Sequence, residues 1–263
     1  MSLVGGSVLV TGATGGIGHA IVRAFAARGA DLIITGRRLD VLEPLAAEVG
    51  ARAVGCDLAN RDDVAALAAE AAGVDVFVAN AAVPASGVLT ELTPEQIDRM
   101  LEVNLRAPIA LARSLAPLMI ERRRGHMVFI SSLAGKAASP ASSIYSATKF
   151  GLRGFALGLR EDLRPFGIGA SVVLPGFIRD AGMFADANVH LPTGVGTRSP
   201  DDVAASVIRA IERDRAEVEV APLGLRVAAN FAGVAPQLAG TVSRKMGSET
   251  IASRLAAGQM DKR

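Results

Sequence analysis

Short runs of aliphatic residues recur along this chain, each followed by a stretch of helical periodicity, and that alternation restricts the fold more than any other feature. Ser7-Val8-Leu9-Val10-Thr11 is apolar at its centre and bounded by glycines, as in a strand covered on both faces. The stretch 17–28 then places Ile17, Ile21, Val22 and Phe25 at helical spacing and stops at Gly29. The change of period repeats, predicting further strands at 31–35, 51–56, 74–79, 126–131, 168–174 and 218–220. Helices are predicted at 39–49, 61–72, 94–123, 142–164 and 200–213. The helix over 94–123 is expected to bend near Pro108, and that over 200–213 to open on Ser199 with Pro200 at its first position. Seven short strands separated by helices mean parallel βαβ units with right-handed crossovers. The expected fold is α/β, a doubly wound seven-stranded parallel sheet flanked by helices on both faces. No linker rich in Pro, Gly or Ser divides it, so 1–263 reads as one domain.

Composition agrees and removes several classes of function. Half the residues are apolar, only 4% are aromatic and Trp is absent, so the core must be built from Ala, Val, Leu and Ile. The 28 basic and 26 acidic side chains nearly cancel, and no basic stripe interleaved with aromatics appears, which argues against nucleic acid as a partner. The run Arg122-Arg123-Arg124 falls at a helix C-terminus, where cations are favoured. A single cysteine, Cys56, permits no internal disulfide and fits a reducing compartment. The N-terminal apolar run ends at Thr11-Gly12, too early for a signal peptide, so a cytoplasmic location is expected.

The turn Thr11-Gly12-Ala13-Thr14-Gly15-Gly16-Ile17-Gly18 joins the first strand to the first helix. Glycines there let the backbone approach a pyrophosphate seated on the helix N-terminus. An acidic residue after the second strand would suit the ribose hydroxyls of NAD(H). This chain has Thr35-Gly36-Arg37-Arg38 instead, and two guanidiniums suit a 2′-phosphate. NADP(H) is therefore the expected cofactor, with NAD(H) the alternative. Asp57 and Asn80 follow the third and fourth strands, at the strand ends where ligands bind in this architecture.

Tyr145 is the sole tyrosine, and Lys149 is one of four lysines. Their i, i+4 spacing puts both on one helix face. Lowering a phenol pKa by about three units requires roughly 4 kcal/mol. One ammonium about 4 Å away supplies about that much at an effective dielectric of 20. Ser132 ends the fifth strand thirteen residues before Tyr145, close enough for a short loop to bring its hydroxyl to the pair.

With these residues in place the chain is similar to the short-chain dehydrogenase/reductase family, in its single-domain, Rossmann-type branch. Thr11–Gly18 matches the TGxxxGxG turn, Tyr145 and Lys149 the YxxxK pair, and Ser132 the catalytic serine. Ala79-Asn80-Ala81-Ala82 resembles the NNAG segment, Asn104 the fourth catalytic member, and Pro175-Gly176 the turn bordering the nicotinamide; the match spans about 5–222. The resemblance implies that Tyr145 is the acid–base and Ser132 orients the substrate oxygen. Lys149 would bind the nicotinamide ribose and lower the Tyr145 pKa, while Asn104 would hold a water of the proton relay. It further implies cofactor contacts from Gly12, Thr14, Gly16, Ile17 and Gly18, and from Arg37, Arg38, Asp57 and Leu58. Asn80, Ala81, Tyr145, Lys149, Pro175, Gly176 and Ile178 complete that set. A homodimer or homotetramer follows from the same resemblance.

The chain departs from the family at two places: Ala79 and Ala82 replace Asn and Gly, and Asp180 stands where Thr is frequent. In the family, the segment at 177–198, with Phe177, Met183, Phe184 and His190, is a substrate lid, and its apolar character implies a hydrophobic or amphipathic carbonyl or alcohol. His190 has neither His19 nor His126 placed to join it, so no metal is expected. The tail from 223 to 263 is broken by Arg226 and Pro236; it reads as a helical extension covering the site or a subunit interface, with a membrane surface as the second reading. Of the rival classes, a non-catalytic dinucleotide sensor would be expected to lack Tyr145, Lys149 or Ser132. A sugar-nucleotide epimerase would need a longer C-terminal segment.

Overall fold

The computed structural model describes residues 5–84, 87–182, 184 and 195–245. Met183, His190, half of the segment 177–198 and the tail beyond 245 lie outside the described residues. Seven strands form one parallel sheet: β1 Ser7–Thr11, β2 Asp31–Gly36, β3 Arg52–Gly55, β4 Val76–Ala79, β5 His126–Ile130, β6 Gly169–Pro175 and β7 Glu217–Val220. Their order is β3-β2-β1-β4-β5-β6-β7. The chain thus winds outward from β1 in one direction, then returns and builds away from it in the other. The crevice above the C-terminal ends of β1 and β4 is the switch point where ligands bind in such sheets.

The helices are α1 Gly16–Ala26, α2 Leu39–Val49, α3 Arg61–Glu70, α4 Pro94–Leu101, α5 Ala107–Arg122, α6 Ser143–Leu163, α7 Pro200–Glu212, α8 Leu223–Val234 and α9 Pro236–Lys245. Strand alternation divides the core in two. Val8 and Val10 join Ile21, Phe25, Leu42 and Val207 under α1, α2 and α7. Leu9 joins Leu67, Leu111, Leu115 and Leu152 under α3, α5 and α6. Phe77, Phe129 and Phe155 stack edge to face on that second side, with centroids 6.1 and 5.4 Å apart. Hydrogen-bonded caps fix several helix starts: Thr93 with Gln96 opens α4, and Ser199 with Asp202 opens α7.

The expected single helix over 94–123 is interrupted. A π-helical turn at Glu102–Arg106 separates α4 from α5. Pro108 has no N–H to give the carbonyl four residues earlier, that of Asn104, so the α-helical ladder fails just ahead of the proline rather than at it. The arginine run meets the expectation of a helix end: Arg123 is left-handed, Arg122 donates to the Val74 carbonyl at 2.9 Å, and Arg124 pairs with Asp75 at 3.0 Å. Beyond β7, α8 buries Ala229, bonds Arg226 and Asn230 to Glu219, and leaves Leu223, Val227, Phe231 and Val234 exposed. Among the described residues no helix is long and apolar enough to cross a membrane.

Candidate active site

The glycine turn is shaped by close approach. Gly12 has φ +67°, and a Cβ there would lie 2.6 Å from the Ala81 Cα; one on Gly18 would lie 2.2 Å from the Gly12 carbonyl oxygen. A Cβ on Gly16 would collide with Ala181, and one on Gly36 with Thr14. Asn80 holds this turn with its side chain, donating from Nδ2 to the carbonyls of Thr11 and Gly12 at 3.0 and 3.1 Å. The Thr11 hydroxyl accepts from the backbone N–H groups of Asn80 and Ala81. Sequence reading named Asn80 and Ala81 but passed over Thr11; a hydroxyl closing a strand just before a glycine was the available signal. Helix α1 starts on Gly16 with no side-chain cap and no acidic residue in its first turn. Among the described residues its first N–H groups are therefore free for an anion, as a bound dinucleotide pyrophosphate requires.

Around the second strand end the predicted residues divide. Arg38 donates to the Thr14 carbonyl at 2.6 Å and so braces the turn, whereas Arg37 is exposed with no side-chain bond among the described residues. The Asp57 carboxylate accepts from the Ala59 N–H at 3.1 Å and lies 3.7 Å from Arg99. Leu58 and Ile178 bury their side chains in the two cores, leaving only their backbones to a ligand.

Ser132, Tyr145 and Lys149 gather where β5 ends and α6 begins. The Ser132 hydroxyl accepts from the Ala134 N–H at 3.1 Å and donates to the Pro175 carbonyl at 3.4 Å. Burial pushes the Tyr145 phenol above its ordinary value, and its hydrogen bond with Ser132 opposes the rise only in part. Lys149, 2% exposed, donates to the Ile130 carbonyl at 2.9 Å and lies 5.7 Å from the centre of the Tyr145 ring. Burial pushes its ammonium down to about 8. The phenol thus moves up, whereas the resemblance implies that Lys149, with the nicotinamide ring, lowers it. The Lys149 ammonium is aimed at a backbone carbonyl, not at the phenol oxygen. Next to Ser132, the Ser131 hydroxyl donates to the Lys149 carbonyl at 2.8 Å and fastens α6 to β5, a contact that the sequence did not disclose.

Asn104 occupies the π-helical turn. Its side chain is consumed by Val83, accepting from that residue's N–H at 2.8 Å and donating to its carbonyl at 3.0 Å. What Asn104 can offer a water is thus its own carbonyl, which Pro108 cannot satisfy. Pro175 and Gly176 border the same crevice, with the Gly176 N–H on the Val220 carbonyl at 3.0 Å. Asp180, the departure after β6, has φ +67°, a conformation that costs Asp less than a β-branched Thr.

The residues fit a nicotinamide dinucleotide: an uncapped helix N-terminus beneath a glycine turn, then a buried ammonium with a carbonyl partner and, among the described residues, no carboxylate. Fold and crevice define a dinucleotide-binding α/β oxidoreductase. The sequence profile of the short chain dehydrogenase family matches residues 7–191, and the chain belongs to that family. It is 40% identical to nodulation protein G of Rhizobium sp. (strain N33) over 185 residues, covering 68% of this chain and 76% of that one. It is 34% identical over 228 residues to the ketoacyl reductase HetN of Nostoc sp. (strain PCC 7120 / SAG 25.82 / UTEX 2576), covering 83% and 79%. Among solved structures, a short-chain dehydrogenase from Sphingobium yanoikuyae in complex with NADPH superposes with a TM-score of 0.78 at 30% identity, covering 90% of this chain and 95% of that one. The protein is an NAD(P)-dependent dehydrogenase or reductase acting on CH–OH or C=O groups.

Proposed function

We propose that the protein is an NADP(H)-dependent oxidoreductase that acts on the carbonyl or secondary alcohol of a hydrophobic substrate, with Tyr145 as the acid–base. The observation that carries this reading is the convergence of Ser132, Tyr145 and buried Lys149 at the β5–α6 junction beside the glycine turn. When bound, the nicotinamide supplies or accepts the hydride at the substrate carbon. In the reductive direction Tyr145 gives its proton to the substrate oxygen as the carbonyl becomes an alcohol, and the tyrosinate regains a proton from solvent. A phenol pushed up by burial is protonated at neutral pH, the form that reduction needs. Ser132 donates to the same oxygen and holds it against Tyr145. Lys149, with its value near 8, remains an ammonium at neutral pH; it would hold the ribose hydroxyls of the cofactor, and its charge would favour tyrosinate. The Asn104 carbonyl holds the water through which Tyr145 is resupplied.

NADP(H) rests on exposed Arg37, aided by the NADPH complex of the Sphingobium relative. A hydrophobic substrate rests on the Phe177 and Phe184 rings, 5.0 Å apart after β6. Residues 1–263 act as one domain in the cytoplasm, and the exposed apolar side chains of α8 serve a contact between copies of the chain. Turnover of a panel of ketones and secondary alcohols by Tyr145→Phe is the decisive measurement. Loss of turnover with NADP(H) binding intact is expected, and retained turnover removes Tyr145 from the mechanism.

A further inference from the structure

A charge cluster that the proposed mechanism does not use surrounds buried Lys136, whose side chain is 8% exposed. Its ammonium contacts a Glu217 carboxylate oxygen and donates to Glu219 Oε1 at 2.5 Å and to Asn230 Oδ1 at 2.8 Å. The other Glu217 oxygen accepts from Arg153 at 2.6 Å, and the other Glu219 oxygen from Arg226 at 2.9 Å. Asn230 Nδ2 also donates to Glu219, at 2.9 Å. Burial raises the Glu219 carboxyl, but the bonds from Lys136, Arg226 and Asn230 reverse that and hold it below its ordinary value. The sequence builds this cluster by simple periodicity. Glu217 and Glu219 alternate onto one face of β7. Arg226 and Asn230 are one turn apart on α8, and Arg153 follows Lys149 by one turn on α6.

Lys136 is also the last residue of the turn that carries Ser132. That turn is closed by hydrogen bonds from the Gly135 N–H to the Ser132 carbonyl at 2.8 Å and from the Lys136 N–H to the Leu133 carbonyl at 2.9 Å. Gly135 presses on α6 so closely that a Cβ there would lie 2.7 Å from the Lys149 carbonyl oxygen. One end of the unit is thus wedged on the helix bearing Tyr145, and the other is tied to β7 and α8.

We infer that Lys136 is a positioning residue: its ammonium anchors the Ser132–Lys136 turn to β7 and α8 and thereby sets the Ser132 hydroxyl against Tyr145. The inference deepens the oxidoreductase reading and rests on it for the role of Ser132. Removing the ammonium leaves the two half-buried carboxylates with only Arg153, Arg226 and Asn230, on the outer side of the cluster; they turn towards those partners and water and release the turn. A displacement of about 1 Å at a reacting group lowers turnover by up to about 100-fold.

Lys136→Met, Lys136→Arg and Asn230→Leu, with Tyr145→Phe as reference, test the assignment by three measurements. These are kcat and KM on the best substrate of the panel, NADP(H) affinity by fluorescence, and amide hydrogen exchange. For Lys136→Met, kcat falls by about 10- to 100-fold while NADP(H) affinity holds, because the glycine turn and Lys149 are untouched. Exchange accelerates at 132–137 and in α8. Asn230→Leu shifts both readouts the same way but less, and Lys136→Arg restores most of kcat. Unchanged kcat well below the melting temperature, or unchanged exchange at 132–137, overturns the assignment; should Lys136→Met fail to fold, the same two results in Asn230→Leu do so. Turnover retained by Tyr145→Phe would instead overturn the proposed mechanism, and the exchange data would still judge the anchor.

Discussion

Arg37 and Arg38 stand side by side after β2 but have different tasks. Arg38 spends a guanidinium N–H on the Thr14 carbonyl, so its removal loosens the turn for any dinucleotide. Arg37 is exposed and holds no partner among the described residues, which leaves it for a 2′-phosphate. A charge-assisted hydrogen bond contributes about 1.5–3 kcal/mol, so Arg37→Ala is expected to weaken NADPH by roughly ten- to hundredfold and NADH little. Titrating both cofactors into the variant decides; equal losses would remove Arg37 from phosphate recognition. At this scale the sequence was informative about which residues meet and poor about what they do on meeting. The spacing of Tyr145 and Lys149 put both on one face of α6. It could not tell that Lys149 would aim at the Ile130 carbonyl, nor that burial would raise the phenol. Asn80 and Asn104 were found by position, but their side chains support backbone rather than ligand.

Among the elements, the glycine turn and α1 form a unit whose glycines differ in consequence. Gly12 and Gly29 have nearly the same left-handed φ, +67° and +69°. Alanine at either costs about 1–2 kcal/mol for that conformation. At Gly29 nothing lies within 4 Å, whereas at Gly12 the new methyl meets the Ala81 backbone. Gly12→Ala should therefore lose at least about 2 kcal/mol of stability together with cofactor affinity, while Gly29→Ala loses about 1 kcal/mol and binds normally. Chemical denaturation and cofactor titration of the pair provide the check, and identical behaviour would mean that the turn does not need its close approach. The strands were legible because parallel strands buried on both faces read as unbroken aliphatic runs. β1 falls on Ser7–Thr11 as expected, and the other strands begin and end within two residues of expectation. The π-helical turn at 102–106 was not legible, since a proline marks a break in helical bonding without saying which preceding turn absorbs it. The Lys136 cluster escaped for a different reason. Arg153 and Lys136 meet partners 64 to 94 positions away, and no local pattern reports such a meeting.

Across the whole molecule, the acid-sensitive group lies far from the chemistry. His126 opens β5 on the end of the sheet opposite the crevice. Its Nε2 lies 2.8 Å from Ser171 Oγ, and Ser171 gives its only proton to the Arg215 carbonyl, so His126 must be the donor. Burial lowers the imidazole to about 4, with Asp214 opposing and Arg160 adding to the shift. Unfolded, the ring takes up its proton near 6.5, so between about 6.5 and 4 the unfolded chain binds more protons and stability falls as pH drops. A shift of that size amounts to about 3 kcal/mol. Unfolding midpoints followed from pH 7 to 4.5 should decline, and less steeply for His126→Gln; parallel curves would acquit the histidine.

Strand β5 carries His126 at its first residue, and Ser132 stands just beyond its last. Six steps of extended chain separate the two groups by roughly 20 Å. Tolerance to acid and choice of substrate are thereby inherited from opposite rims of one sheet, free to change without consulting each other.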